Sequence, residues 1–283
     1  MILGKTILPE WAENRLANPL TKQKADVSEF RVLNSSLDAR IFLRNTEGFK
    51  LWLEGQLAYE NWEKLGSDSH IKKVKSRKQT TNSYLTEIAY DSPVYEKFRI
   101  MGTVLDVGGS CGTLRHFLPP ESQYISIDPN PEPMAGVTSE KAAAYNCLVS
   151  DLPFVAAMAE FLPFLDNSFD YVHMRSMLDH VQIPDLAILE AYRVLKPGGS
   201  LLVGISIEHS GFQLQNFQAS IKELVRHVLG IVGIKKWQDH HLWHPTYSNL
   251  TKLITDNGFV ITETFWQPIY VDKVVYVQAI RSR

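Results

Sequence analysis

Residues 104–119 read VLDVGGSCGTLRHFLP. An apolar run ending in Asp106 meets glycines at 108, 109 and 112, and an apolar-periodic stretch comes after them. That order predicts a buried strand, a tight turn and the start of a helix. Gly108 and Gly109 open backbone angles closed to other residues and let a ligand come close to the main chain. The new helix adds free N–H groups at its partly positive end. Such a turn holds the polar tail of a nucleotide-like ligand.

Dinucleotide-binding proteins use a similar turn, with a carboxylate about twenty residues further on to hold a ribose. That carboxylate is present, because Asp128 ends a second apolar run, YISID. Asp106 separates the two readings. It stands two residues before the first glycine, with only GGxxG after it, and an acid there repels a pyrophosphate but suits an ammonium group. S-adenosylmethionine carries an amino-acid tail, a ribose and an adenine, and no phosphate.

Four segments in this order and spacing are similar to the class I S-adenosylmethionine-dependent methyltransferases, in particular the small-molecule subgroup called type 11. They are LDVGGSCG (105–112), IDPNP (127–131), AEFLPFLDNSFDYVHMRSMLDHV (159–181) and LEAYRVLKPGGSLLVGI (189–205). The resemblance runs from about Tyr95 to the C-terminus. It implies a Rossmann-like α/β fold with a seven-stranded, mostly parallel sheet, an antiparallel C-terminal strand and, in this chain, an N-terminal extension. It also implies S-adenosylmethionine as cofactor and methyl transfer to an oxygen or nitrogen of a small molecule.

The implied cofactor residues lie in these motifs. Gly108, Gly109, Ser110 and Gly112 surround the methionine tail, and Asp106 attracts its ammonium group directly or through water. Asp128 accepts hydrogen bonds from the ribose hydroxyls, with Pro129 stiffening the turn against the adenine. Ala159 and Glu160 match the family's acidic-Ala-Glu step, but Met158 stands where an aspartate commonly meets the adenine amino group. Adenine recognition then falls to backbone groups, Glu160 or a nearby polar residue. His173-Met174-Arg175 match the family's His-Ala-Arg step at a strand end, with Met174 and Arg175 beside the cofactor; Arg175 reads equally as a structural partner for a carboxylate.

Composition is compatible with an enzyme. At 283 residues and 45% hydrophobic content the chain is long and apolar enough for a domain of ordinary size plus an elaboration. No apolar stretch approaches the ~18 residues that cross a bilayer, and the start, MILGKTILPEW, has too short an apolar region for a signal peptide. These readings predict a cytoplasmic protein without a membrane partner. The two cysteines, Cys111 and Cys147, make no disulfide framework. A net charge of −2 gives no footprint for nucleic acid. The basic run IKKVKSRK (71–78) reads as a solvated linker or helix face, against contact with nucleic acid or a phosphorylated substrate.

Two regions differ in pattern. Residues 1–94 lack regular alternation, are rich in charges and aromatics such as Trp11, Trp52, Tyr59 and Trp62, and read as a cap or extension. LANPLTKQKADV (16–27) resembles the small zinc-ribbon modules found before some methyltransferase domains, yet lacks their cysteines, so no metal is expected. Residues 95–283 read as the cofactor-binding domain, with strands predicted at 103–106, 123–128, 154–158, 169–173, 200–206, 259–265 and 273–280, the last two as an antiparallel pair. Helices are predicted after an Asp185 cap, over 246–257, and over 81–98. In that last helix Tyr84, Tyr90 and Tyr95 are either pocket residues or packing.

The acceptor chemistry has two candidate bases. A methyl sulfonium is already activated, so positioning supplies most of the effect, and a base helps only a hydroxyl or a protonated amine. His180, in LDHV, is the first candidate, against a loop-orienting role. His241 is the second, from DHHLWHPTY (239–247), which reads as pocket lining, as a loop before the Thr246 cap, or least readily as a metal site using Asp239, His240, His241 and His244. Two other function classes stay open: an inactive S-adenosylmethionine-binding protein of the same fold, and a nicotinamide-dependent oxidoreductase.

Overall fold

The structure, a computed structural model, describes residues 8–33, 36–47, 49–50, 53–54, 79–207, 241–267 and 274–282. Trp52, Tyr59, Trp62, the basic run at 71–78, Asp239 and His240 lie outside the described residues.

Among the described residues nine strands form one sheet. They are β1 (Arg31–Leu33), β2 (Ser36–Asp38), β3 (Thr103–Val107), β4 (Gln123–Asp128), β5 (Phe154–Ala156), β6 (Phe169–Arg175), β7 (Leu195–Ser206), β8 (Phe259–Gln267) and β9 (Val274–Arg281). Their spatial order is β1-β2-β5-β4-β3-β6-β7-β9-β8. Pairing is parallel from β2 through β7 and antiparallel at both margins, β1 on β2 and β9 between β7 and β8.

The expected seven strands are all present, but the sheet is not seven-stranded. The two extra strands come from the N-terminal segment, where only three residues each, RVL and SLD, pair. Runs that short carry no readable alternation. The physical gain is clear, because β5 would otherwise end the sheet with a row of unpaired backbone groups. Leu37↔Val155 and Asp38↔Ala156 cover part of that edge.

The N-terminal segment also shares the main core. Leu8, Ala12, Leu16, Phe30 and Leu37 pack in the same apolar cluster as Leu105, Ile125, Val155 and Phe164. Each such leucine or phenylalanine, fully buried, contributes about 1.5–3 kcal/mol.

The α-helices that flank the sheet include α1 (Thr81–Phe98), α2 (Ser139–Ala144), α3 (Pro184–Val194) and α4 (Tyr247–Asp256). α1 runs continuously through position 94 and starts in a capping box between Thr80 and Ser83. It buries Tyr84 and Tyr95, while Tyr90 is exposed. α4 starts where expected, with the Thr246 hydroxyl accepting from the Asn249 N–H.

Asp185 is not the cap of α3. Pro184 occupies the first helical position, where its missing N–H costs nothing, so Asp185 falls inside the first turn and Ile183 is the cap residue. The helix ends at Val194, and Lys196-Pro197-Gly198-Gly199 follow as part of β7.

β3 lies at the centre, and the registers Val107↔Ile127 and Val107↔Met174 bring the C-terminal ends of β3, β4 and β6 to one edge. The strand order runs one way from β3 to β4 and β5, and the other way to β6 and β7. Such a reversal leaves a crevice between the connecting segments, the usual ligand position in open α/β sheets.

Candidate functional site

The turn after β3 is built on positive backbone angles. Gly108 has φ +71°, Ser110 +46° and Gly112 +76°. The N–H groups of Gly108 and Gly109 both donate to the Ile127 carbonyl, at 2.8 and 3.2 Å, which stitches the turn to β4. A Cβ on Gly109 would lie 2.5 Å from Asp106 Cγ and 2.6 Å from Ser126 Oγ, and one on Gly108 would lie 2.6 Å from Met177 Cβ. Positions 108 and 109 therefore have no room for a side chain. The turn leads into a five-residue 3-10 helix, Thr113–Phe117, rather than the α-helix its periodicity predicts, with Gly112 as cap. The dipole of so short a helix is correspondingly small.

Asp106 sits beneath this turn, buried, with both carboxylate oxygens engaged. The Tyr124 hydroxyl donates to Oδ2 at 2.6 Å, and His173 Nδ1 lies 2.7 Å from Oδ1. The chain of contacts continues from His173 Nε2 to the Tyr95 hydroxyl of α1 at 3.4 Å. Burial first, then the neighbouring Asp106 charge, push the Tyr124 phenol well above its ordinary range, so it stays a donor. Burial does the same to Tyr95.

Asp128 emerges from β4 beside the turn. Burial, opposed by hydrogen bonds from the Asn130 and Ser110 backbones and reinforced by the Asp106 charge, pushes its carboxyl up to about 6. Asn130 N–H donates to Oδ1 at 2.9 Å. A carboxylate offers about four acceptor positions, so two backbone donors leave capacity for further hydroxyls. The Pro129 carbonyl accepts from Arg40 Nη1 at 2.9 Å, and Arg40 is itself clamped on Asp38 by Nε and Nη2 at 2.6 and 3.0 Å. The N-terminal segment thus grips the loop after Asp128.

Ala159 and Glu160 begin a 3-10 turn after β5, both buried. Glu160 Oε1 accepts from the Gln182 backbone at 3.0 Å, and burial raises its carboxyl above the ordinary range. Its carboxylate therefore ties the loop after β6. Ser150 and Asp151 face Arg115, whose Nη1 donates to Ser150 Oγ and the Asp151 carbonyl.

Met174 is buried in β6. Arg175 makes a two-pronged contact with Asp91 of α1, at 2.5 and 2.7 Å, and Gln267 Nε2 donates to the same carboxylate at 3.1 Å. This geometry matches the carboxylate-partner reading of Arg175, and it joins β6 to α1 and β8 at the crevice.

His180 and His241, 61 positions apart, meet at Asp179. Their ring centroids are 5.0 Å apart. His241 Nε2 lies 3.4 Å from Asp179 Oδ2, and His180 Nε2 lies 3.9 Å from Oδ1. The Leu242 N–H donates to the Asp179 carbonyl at 2.7 Å, which holds the two segments together. His244 stands 5.8 Å from His241, centroid to centroid. Met177, three residues before His180, is the side chain that packs against Gly108.

A family model described as a methyltransferase domain matches residues 105–203, the span from β3 through β7. That span resembles the class I S-adenosylmethionine-dependent methyltransferases. The chain is 42% identical over 104 residues to a ubiquinone/menaquinone biosynthesis C-methyltransferase of Rhizobium rhizogenes, covering 35% of this chain and 40% of that protein. A protein of the same name from Escherichia coli O1:K1 / APEC is 31% identical over 170 residues, covering 56% of this chain and 66% of that one. The match thus spans about two fifths of the Rhizobium relative's length. Among solved structures, a putative methyltransferase from Bacillus halodurans C-125 aligns at a TM-score of 0.50 and 16% identity, over 68% of this chain and 99% of that one. The Burkholderia thailandensis 1,6-didemethyltoxoflavin-N1-methyltransferase aligns at 0.50 and 13%, over 81% and 90%. At those identities the likeness is one of fold.

In this methyltransferase domain, the contacts of four residues that structure the site escape sequence reading: Tyr124, His173, Asp91 and Asp179. A signal existed for the first two. His173 stands directly opposite Asp106 in register, and Tyr124 lies two residues before Ser126, which faces Asp106 from the other neighbouring strand. No such signal marks Asp91, which sits on a helix 84 positions from Arg175.

Proposed function

We propose that this chain transfers a methyl group from S-adenosylmethionine to an oxygen or nitrogen of a small-molecule acceptor. The observation that carries the reading is the emergence of a glycine-rich turn and a desolvated carboxylate, Asp128, from adjacent strands at one crevice. The residues fit that cofactor. Gly108 and Gly109 are packed so closely on Met177 and Asp106 that only their bare backbone can border a ligand, and Asp128 keeps unused acceptor positions for a sugar diol.

When bound, the cofactor supplies an already activated methyl group. In this reading Gly108, Gly109, Ser110 and Gly112 line the amino-acid tail, and Asp128 with Pro129 lines the ribose and adenine. Asp106 acts through the turn it supports, Ala159 and Glu160 shape the adenine side, and Met174 and Arg175 border the methionine part. His180 and His241 flank the acceptor. Residues 1–94 form a cap or extension on a cofactor-binding domain at 95–283, and Arg40 is their contact with the cofactor-side loop. Among the described residues no helix is long and apolar enough to cross a membrane.

The direct test is to measure formation of S-adenosylhomocysteine with a panel of hydroxyl and amine acceptors. Binding without any turnover would favour the inactive-binder reading, and preferential uptake of a nicotinamide cofactor would overturn the proposal. The name of the 42% identical relative supports a second reading, methylation at carbon. Locating the added methyl in the product by mass spectrometry and NMR separates the two.

Asp128→Ala is expected to weaken cofactor binding by about 1–3 kcal/mol, the range for losing charge-assisted hydrogen bonds. Calorimetry giving an unchanged dissociation constant would remove Asp128 from the ribose contact. The raised carboxyl adds a pH signature. In the free protein it contributes stability that is present below the ordinary carboxylate range and lost as pH rises through about 6. Ribose hydroxyls donate best to the ionised form, so cofactor affinity should instead fall as pH drops through about 6. Asp128→Asn should flatten both profiles.

His180→Ala should lower turnover about 10²-fold or more while cofactor affinity stays within about a factor of two, if its imidazole is the base. A variant whose rate matches the parent across the pH range would leave His180 an orienting residue.

A further inference from the structure

Asp179 presents an unusual balance of burial and bonding. Its side chain is about nine-tenths buried, yet its Oδ1 atom, shielded from solvent, has no hydrogen-bond partner among the described residues. Leaving such an oxygen without a donor is costly, and it points to a ligand that completes the site. Two imidazoles stand beside this carboxylate. One ligand atom each from Asp179, His180 and His241 lies within 4.8 Å of the other two.

We propose that Asp179, His180 and His241 bind one divalent transition-metal ion of the zinc class. Ligand bonds of about 2.0–2.2 Å in a tetrahedral arrangement place ligand atoms roughly 3.4 Å apart. The 3.4 Å between His241 Nε2 and Asp179 Oδ2 already has that spacing, and the 3.9 Å from His180 Nε2 to Oδ1 is slightly open. A small rotation of the His180 ring, which is about one-third exposed, closes it. Two nitrogens and one carboxylate select zinc, cobalt, nickel or iron over magnesium and calcium, which favour all-oxygen shells.

The frame is held without the ion. Asp179 and His180 are neighbours in the turn Leu178–His180, and His241 is held against them by the Leu242 and Trp243 N–H groups on the Asp179 carbonyl, at 2.7 and 3.3 Å. Three protein ligands leave at least one coordination position for water or an oxygen of another molecule. The site differs from the Asp239-to-His244 grouping suggested by sequence, because its carboxylate comes from the segment after β6. It uses the two histidines that the transferase reading sets beside the acceptor, and a bound ion would make the His180 imidazole a ligand instead of a base.

The test uses the full chain without an affinity tag, stripped with a chelator and desalted. Titration with Co²⁺ should give one saturable equivalent with visible d–d absorption, displaced by Zn²⁺. His241→Ala and Asp179→Asn should each weaken binding about tenfold or more, by analogy with the cost of disturbing even outer-shell partners. Far-UV circular dichroism verifies the fold, and if the buried Asp179 variant fails to fold, the His241 variant decides. No saturable binding by the parent chain, or equal affinity in parent and folded variants, overturns the site. Metal binding by a chain that ignores S-adenosylmethionine would sink the transferase reading and leave this one standing.

Discussion

Asp106→Ala should lower the unfolding free energy by about 3 kcal/mol, the largest loss expected from a single residue of the site. The carboxylate is buried and takes Tyr124 at 2.6 Å and His173 at 2.7 Å, so its removal strands two polar groups in a place water does not reach. Each stranded group costs on the order of 1–3 kcal/mol. Asp106→Asn keeps the volume and one acceptor oxygen, and about half of the loss is expected. The check is urea unfolding, read as a shift in midpoint at unchanged slope. A loss under about 0.5 kcal/mol for the alanine variant would mean that the Tyr124–Asp106–His173 chain adds nothing net. Cofactor affinity should fall with it, because the same carboxylate floors the turn. In the alanine variant the affinity loss should be nearly independent of salt, since it comes from a displaced turn and not from an exposed charge.

Gly109→Ala should cost about 2–3 kcal/mol in stability and about a hundredfold in methyl-transfer rate. The added methyl would meet Asp106 Cγ at 2.5 Å and Ser126 Oγ at 2.6 Å. Overpacking of this kind costs about 1–3 kcal/mol when neighbours cannot move, and a ligand displaced by about 1 Å loses about 10²-fold in productive positioning. Asp106 cannot move, because Tyr124 and His173 hold both its oxygens. A double-mutant cycle isolates that cause. Gly109→Ala combined with Asp106→Ala should destabilise by less than the sum of the two, since the second change removes the atoms the first collides with. Additive losses would place the strain elsewhere in the turn.

The legible part of this protein is what adjacent residues encode. VLDVGGSCG announces a strand and a glycine turn because buried parallel strands read as apolar runs and only glycine accepts φ near +71° without strain. YISID and the seven expected strands obey the same rule, as does α4, whose Thr246 cap and apolar stripe lie within one helix. The Asp185 cap misled because proline at the first helical position competes with a capping aspartate, and local pattern alone ranks them poorly.

The N-terminal hairpin was unreadable for a different reason. Three-residue strands have too few alternations to carry a period, and β2 exists because β5 offers it an edge 118 positions away in chain numbering, as Asp38↔Ala156 and Leu37↔Val155 record. The site divides along the same line. Asp106, the glycines and Asp128 are ordered by the strand–turn–helix sequence itself. The partners of Asp106, the Arg175–Asp91 clamp and the meeting of His180 with His241 are not.

From its residues alone the chain determined an α/β sheet, the turn after its first long parallel strand and the acid at the tip of the next, since each depends on backbone angles and periodicity among close neighbours in sequence. Tertiary structure decided how many strands close the sheet, which groups lock Asp106, and that two histidines share the buried carboxylate of Asp179. Those contacts join residues far apart in the chain, such as Asp38 with Ala156 and Asp91 with Arg175, and only packing of the whole sheet brings them within hydrogen-bond or ligand distance.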